Sequence, residues 1–172
     1  MKTLKKIFFV LLTVFLLIGC QTLDNRYYAI NHNHSAAQKL VDNAKGRLDK
    51  GKPLIVASFV NINALSESSS LGRSISQQFA TIFTNNGYRV IELLLRKDIY
   101  IREDSGEFLL SRELKNISHH HQAQAVIVGT YAVGETRVYV TSKVINADTG
   151  IVLSAHDYSL PIDKDTKALL MN

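Results

Sequence analysis

Leu54-Ile55-Val56-Ala57-Ser58-Phe59-Val60 is a continuous run of apolar and β-branched residues that begins directly after Pro53. A run of this length and composition is typical of a strand buried on both faces. Downstream, apolar residues recur at helical spacing over residues 71–85, and Tyr88 to Leu95 has the composition of a second strand. Residues 54–95 therefore predict a strand-helix-strand unit with parallel strands.

The flanking segments predict another helix and a third strand. Ser35 is a candidate N-cap for an amphipathic helix over residues 36–50, with Gly51 placed to end it. Residues 125–133 form an apolar run of strand length. Gly129 within that run indicates either a bulge or a close backbone approach.

Residues 97–111 allow two interpretations. The apolar residues on either side of Asp104-Ser105-Gly106 could pair as strands, or the second group could open a helix. We favour a short extension followed by a helix that is capped at Ser111 and buries Leu114 and Ile117.

The C-terminal part of the chain predicts a hairpin. Polar and apolar residues alternate from Arg137, the turn signal Asn146–Gly150 follows, and residues 151–160 return as a partner strand. A short helix over residues 164–170 closes the chain. The predicted fold is a mixed α+β or α/β fold, in which helices pack on the faces of a mixed sheet and parallel crossovers precede an antiparallel C-terminal meander.

The N-terminus has the layout of a secretory signal, since three lysines precede the twelve-residue apolar run Ile7–Ile18. As a helix this run would rise about 18 Å, well short of the roughly 30 Å of a bilayer core. Leu17-Ile18-Gly19-Cys20 resembles the bacterial lipobox, in which the cysteine is acylated and becomes the mature N-terminus. The alternative is an ordinary signal peptide with an incidental cysteine.

The lipobox resemblance predicts the domain organisation. Residues 1–19 would be the signal peptide, residues 20–34 the lipidated N-terminus and tether, and residues 35–172 a single globular domain. Cys20 is the predicted lipidation site, and several acyl chains on one residue would give lasting attachment. In lipoproteins of this kind, a residue other than Asp after the cysteine, here Gln21, implies release to the outer membrane.

The charge pattern argues against a nucleic-acid-binding protein, and the cysteine content excludes a disulfide-stabilised domain. Removal of residues 1–19, which hold three lysines and no acids, lowers the formal charge from +5 to +2. The remaining basic residues are scattered among fifteen acids and form no stripe of the kind that binds nucleic acid. Because Cys20 is the single cysteine, the domain must fold without a disulfide.

Polar residues of catalytic or metal-binding type are present, but their spacing does not suit metal coordination or a catalytic triad. His119-His120-His121 would point about 100° apart on a helix and could not converge on one metal ion. Ser154, His156 and Asp157 resemble a triad, yet a strand sends the last two to opposite faces. We therefore expect no catalytic residue, no metal site and no cofactor.

A serine-rich loop precedes the helix predicted over residues 71–85. Its serines and a nearby arginine could hold an anion or a partner on free amide groups at the helix N-terminus. Helix capping explains the same serines and is the favoured interpretation. The residues concerned are Ser66, Ser68, Ser69, Ser70 and Arg73.

Several blocks of the mature chain together resemble the FlgO family of flagellum-associated outer-membrane lipoproteins, over about Ala37 to Leu170. The blocks that carry the resemblance are Pro53–Val60, Leu71–Phe79, Gly87–Glu92, Gly106–Leu114 and Gly129–Tyr131.

The FlgO resemblance implies a non-enzymatic protein on the periplasmic side of the outer membrane, needed for flagellar stability or motility. It further implies the flagellar outer-membrane proteins FlgP and FlgT as partners, and association with a circular machine suggests a homo-oligomer. The hairpin around Val144–Leu153 looks like those of CsgG-type and TolB-type envelope proteins. A general envelope-assembly or periplasmic ligand-binding lipoprotein therefore remains the alternative.

Overall fold

The computed structural model describes residues 28–65, 69–93 and 112–171. Within them the elements are, in chain order, α1 Tyr28–Asn43, β1 Pro53–Ala57, β2 Val60–Asn61, α2 Ser70–Asn85, β3 Arg89–Leu93, α3 Arg112–His120, β4 Ala125–Val133, β5 Arg137–Asn146, β6 Val152–Pro161 and α4 Lys164–Leu170. The predicted signal peptide 1–19, the lipidation site Cys20 and the ambiguous residues 97–111 lie outside the described residues.

The sheet has a parallel half and an antiparallel half. The strand order is β3-β1-β4-β5-β6, with β1 parallel to both of its neighbours and β2 parallel to β4. The strands β4, β5 and β6 are antiparallel and form the C-terminal meander. The predicted fold class, parallel crossovers followed by an antiparallel meander, is confirmed.

Helices cover the two faces of the sheet unequally. Leu54 and Val56 of β1 belong to a large core cluster that includes Leu40 of α1 and Ile75 of α2. The alternate β1 residues, among them Ile55, belong to a smaller cluster with α3 residues on the opposite face. Within α3, Leu114 is buried as predicted and Ile117 packs partly buried against the same cluster.

The apolar run over residues 54–60 is buried throughout, as predicted, but it is not one strand. Leu54 to Val60 are all buried, yet β1 ends at Ala57 and β2 begins only at Val60. At the break the Phe59 N–H donates to the carbonyl oxygen of Gly72 at 3.3 Å instead of to a neighbouring strand. Contact with α2 therefore interrupts the strand.

Phe59 packs at the centre of the larger cluster. Its ring is fully buried and lies 5.0 Å, between centroids, from the ring of Phe79. A Cβ built on Gly129 would overlap the Phe59 ring. Gly129 pairs with Ser142 in unbroken register, so the close approach that the sequence indicated is present and the bulge is not.

The first helix differs from its prediction. It spans Tyr28–Asn43 rather than residues 36–50, and Ser35 is an interior residue, not an N-cap. Residues 28–34 show no helical period in the sequence but are helical in the structure. The tether over residues 20–34 stays a prediction. After the helix the chain turns at Gly46, whose φ is +77°, well before Gly51.

Side-chain hydrogen bonds hold the first turns of α1 in place, although the sequence there shows no helical period. Asn33 is 2% exposed, and its side-chain amide donates to Gln78 of α2 at 2.7 Å. The hydroxyl of Tyr158 in β6 donates to the Asn33 side-chain oxygen at 2.6 Å. Burial raises the pKa of Tyr158, so its hydroxyl remains a donor. These bonds tie α1 to both α2 and the sheet.

The remaining predicted elements agree closely with the structure. The helix α2 begins at Ser70 and ends at Asn85, and α4 spans Lys164–Leu170 with Asp163 as its N-cap. The hairpin is present, and its turn is closed by the Asn146 side-chain oxygen, which accepts from two backbone N–H groups. Clear helical spacing and turn chemistry explain this agreement.

Replacement of Gln122 by glycine is expected to stabilise the protein by about 1 kcal/mol. Gln122 has φ +52°, in the left-handed region, at the C-terminal end of α3. The Ala123 N–H donates to Ser118 O and the Gln122 N–H to His119 O, which is a Schellman arrangement that favours glycine at this position. Chemical denaturation of Gln122→Gly measures the gain. The neighbouring exposed substitution His121→Gly is the control, and an equal effect of both would refute the conformational explanation.

Candidate functional site

In the serine-rich loop, Ser69 is the N-cap of α2. The Ser69 hydroxyl accepts from the Gly72 N–H at 3.0 Å and from the Tyr131 hydroxyl at 2.7 Å. The Ser70 hydroxyl accepts from the Arg73 guanidinium at 2.9 Å. Ser66 and Ser68 lie outside the described residues. The bond from the Gly72 N–H to Ser69 is the one that helix capping predicts, and anion binding by the loop stays a prediction.

The residues that resemble a triad are separated by the strand. The buried Ser154 hydroxyl donates to Leu40 O of α1 at 3.1 Å. His156 stacks on Tyr158, with ring centroids 6.4 Å apart, and burial together with the nearby Lys39 lowers the pKa of His156. Asp157 is exposed, and its side chain projects from the face of β6 opposite to that of Ser154 and His156. The three side chains therefore do not converge.

The consecutive histidines lie at the end of α3. His119, His120 and His121 are all exposed, and His119 Nδ1 is 3.9 Å from the Asp148 carboxylate. Residues 28–65, 69–93 and 112–171 contain no group of three or more His, Cys, Asp or Glu side chains placed to hold a metal ion.

A polar cleft lies at the end of the sheet where the parallel strands begin. It is lined by residues 46–49 and 51–53, by Arg89 at the start of β3, by Ser118 and His119 in the last turn of α3, by residues 122–124 after it, and by the β5–β6 turn at Asn146 and Asp148. We call it the basal cleft. Its volume of about 780 Å³ is within the range of small-molecule sites.

One glutamine side chain fixes the wall of the basal cleft. The Gln124 side-chain amide donates to the carbonyl oxygens of Asp49 and Lys52, and its oxygen accepts from the Asp49 N–H at 2.8 Å. The Gln124 backbone N–H also donates to Pro53 O. Because all these bonds reach one loop, the loop is held against the start of β4.

Three cationic side chains line the basal cleft. Arg47 donates through Nη1 to Leu153 O at 2.6 Å, and Arg89 donates through Nη1 to Gly51 O at 3.2 Å. Lys52 is the third. Within the described residues, none of the three lies within 4.0 Å of a carboxylate oxygen.

The sequence pattern does not predict the basal cleft. Its residues come from four separate segments, and the period of an apolar pattern carries no information about where polar loops meet. The one available signal was the basic segment Lys45–Lys52, which holds four lysine or arginine residues in eight positions.

No helix in the described part of the chain is both long enough and apolar enough to cross a membrane.

The chain is similar to one protein family and to several solved structures. The family model described as FlgO protein matches residues 34–165. The LpoB C-terminal domain from Salmonella enterica has a TM-score of 0.52 at 14% identity, covering 74% of this chain and 93% of that one. The same domain from Escherichia coli has a TM-score of 0.51 at 16% identity, covering 74% and 97%. Among curated protein sequences no relative is found. At such identities the structural likeness establishes a shared fold.

Proposed function

The chain belongs to the FlgO family, and from that premise we propose that it is a lipid-anchored accessory protein of the outer membrane that supports flagellar stability and motility without catalysing a reaction. The observation that carries the proposal is the match of the family model over residues 34–165. The lipobox that ends at Cys20 supplies the second support.

Anchoring follows from the chemistry of Cys20. Acylation of its thiol and of the new N-terminal amine would place several hydrocarbon chains on one residue, and each buried CH₂ contributes about 0.8 kcal/mol to membrane binding. Because Gln21, and not Asp, follows the cysteine, the lipoprotein would be released to the outer membrane. The domain would then lie on the periplasmic face of that membrane. A tether between Cys20 and the start of α1 at Tyr28 would keep the domain near the membrane.

The proposed partners are the flagellar outer-membrane proteins FlgP and FlgT, and further copies of the same chain. They rest on family membership and on the association of that family with a circular machine. Nucleic acid is not among the proposed partners, since the mature chain carries a formal charge of only +2 after loss of the three signal-peptide lysines.

Periplasmic ligand binding is a second candidate function. The favouring observation is the basal cleft, whose volume and polar wall suit a small hydrophilic molecule. It is compatible with an anchored accessory role, because the cleft lies within the domain and uses no residue of the predicted lipidation site.

Substitution of Cys20 by serine tests the anchoring part of the proposal. We expect Cys20→Ser to lose the acyl chains by mass spectrometry, to leave the membrane fraction, and to reduce swimming to near that of a deletion strain. Serine lacks the thiol that receives the diacylglyceryl group, so no apolar anchor can form. Fractionation and a soft-agar motility assay measure the two effects.

Two substitutions at the next residue serve as controls. Gln21→Asn keeps both the cysteine and the sorting signal, and should behave as the wild type. Gln21→Asp keeps the lipid but should move the protein to the inner membrane. An unchanged membrane location of Cys20→Ser would defeat the anchoring claim. Normal swimming of the deletion strain would defeat the flagellar role.

A further inference from the structure

The geometry of the basal cleft points to a binding site for a small hydrophilic ligand that carries a phosphate or carboxylate group. We propose that Arg47, Lys52 and Arg89 bind this oxyanion. The inference does not depend on the flagellar role or on the lipid anchor, because every residue that it uses lies in the folded domain.

The two arginines are held in position by backbone carbonyl groups, and each uses only part of its hydrogen-bonding capacity. Each donates a hydrogen bond from one guanidinium nitrogen to a backbone carbonyl oxygen, Arg47 to that of Leu153 and Arg89 to that of Gly51. A guanidinium carries five N–H donors in a planar fork, so each retains donors that can reach an oxyanion in the cleft. The carbonyl contacts reduce the freedom that each side chain would lose on binding.

Among the described residues that line the cleft, Arg and Lys side chains outnumber carboxylates by three to two. Two carboxylates share its rim, but Asp49 Oδ1 accepts from the Gly51 N–H at 2.8 Å and Asp148 lies beside His119. Among the described residues no carboxylate oxygen comes within 4.0 Å of the three cations. An anionic ligand would offset the excess positive charge, and charge-assisted hydrogen bonds are stronger than neutral ones.

The wall of the cleft is rigid enough to be a site. Gln124 fixes the loop that carries Asp49 and Lys52 through three side-chain hydrogen bonds. Gln122, on the same wall, is held in the left-handed region by the Schellman arrangement that ends α3. Since both features rest on hydrogen bonds within the chain, little ordering would be needed on binding.

Titration calorimetry on the full-length acylated protein in detergent, at low ionic strength, tests the site. Inorganic phosphate and glucuronate are the two probes, one for each oxyanion chemistry. We expect saturable binding of at least one probe with a dissociation constant of about 1 mM. Lys52→Gln/Arg89→Gln should weaken that binding about tenfold or more, because two charge-assisted contacts are lost.

Charge-matched variants separate a site from general attraction. Lys164→Gln/Lys167→Gln removes two exposed positive charges from α4, outside the cleft, and should leave the affinity within about twofold. Asp148→Asn removes a negative charge from the rim and should strengthen binding about two- to threefold. Thermal unfolding without ligand checks that each variant is folded, and Lys52→Gln alone replaces the double variant if that one is not.

The outcomes decide the proposal. Binding of phosphate alone selects a phosphorylated ligand, and binding of glucuronate alone selects a carboxylated one. No saturable binding of either probe up to about 20 mM overturns the proposal, since so weak a site would not be specific. Equal losses in the cleft variant and the α4 variant also overturn it, because they would show attraction to overall charge.

Discussion

Gly72→Ala is expected to lower the free energy of unfolding by about 3 kcal/mol, which is a large part of the total stability of an ordinary domain. Gly72 lies in the first turn of α2 and is buried. A Cβ at this position would overlap the Phe59 carbonyl oxygen and lie 2.9 Å from its carbonyl carbon. Because both atoms belong to the backbone, no side-chain rotation can relieve the clash.

Relief would require α2 to move away from the break between β1 and β2. That movement would lengthen the hydrogen bond from the Phe59 N–H to Gly72 O and loosen the packing of Phe79 on Phe59. Guanidinium denaturation measures the loss. Gly51→Ala is the matched control, since its Cβ would meet only the flexible, exposed Asp49 side chain at 3.2 Å. Equal losses for the two variants would refute the argument.

Gly129→Ala is expected to cost about 2 kcal/mol in the wild-type protein and almost nothing in a Phe59→Ala background. A Cβ on Gly129 would overlap the Phe59 ring and lie 2.7 Å from its Cζ. Phe59→Ala alone removes a fully buried ring and should cost about 3–5 kcal/mol. Without the ring, the new methyl group would occupy part of the space left behind.

Two double-mutant cycles, each with Phe59→Ala, tell the two glycines apart. Gly72→Ala should remain destabilising in the Phe59→Ala background, because its clash is with a backbone atom that the substitution leaves in place. Gly129→Ala should show strong coupling to Phe59→Ala. Denaturation of the three single variants and the two double variants supplies the comparison. Additive losses for Gly129→Ala with Phe59→Ala would contradict the proposed packing.

The part of the fold that the sequence predicts well is the part in which pattern and tertiary position agree. The helix α2, the β5–β6 hairpin and α4 carry clear periodicity with a cap or a turn signal at their ends. The parallel pairing of β1 and β3 followed from a topological rule that needs no contact information.

The errors occur where a distant partner decides the local structure. The first turns of α1 were not predicted because residues 28–34 show no helical period, but Asn33 is bound by Gln78 and Tyr158. The strand predicted over residues 54–60 is divided because Phe59 bonds to α2. Neither partner can be identified from the local sequence.

The candidate site was predicted less well than the fold. Of the serines that the sequence places before α2, Ser69 acts as the N-cap, since it accepts from the Gly72 N–H. The basal cleft went unpredicted, because it forms only when residues 46–53, Arg89 and the turn at Asp148 are brought together by the sheet.

The packing of α1 against β6 determines when folding can be completed. The hydrogen bond between Asn33 and Tyr158 joins residues 125 positions apart, so an exported chain must bring these further 125 residues across the membrane before the contact can form. During that interval the apolar side of α1, including Ala37, Leu40 and Val41, has no β6 strand to cover it. A chain that stops before β6 would keep this surface exposed, and truncation from the C-terminus should therefore yield an aggregation-prone chain rather than a smaller folded one.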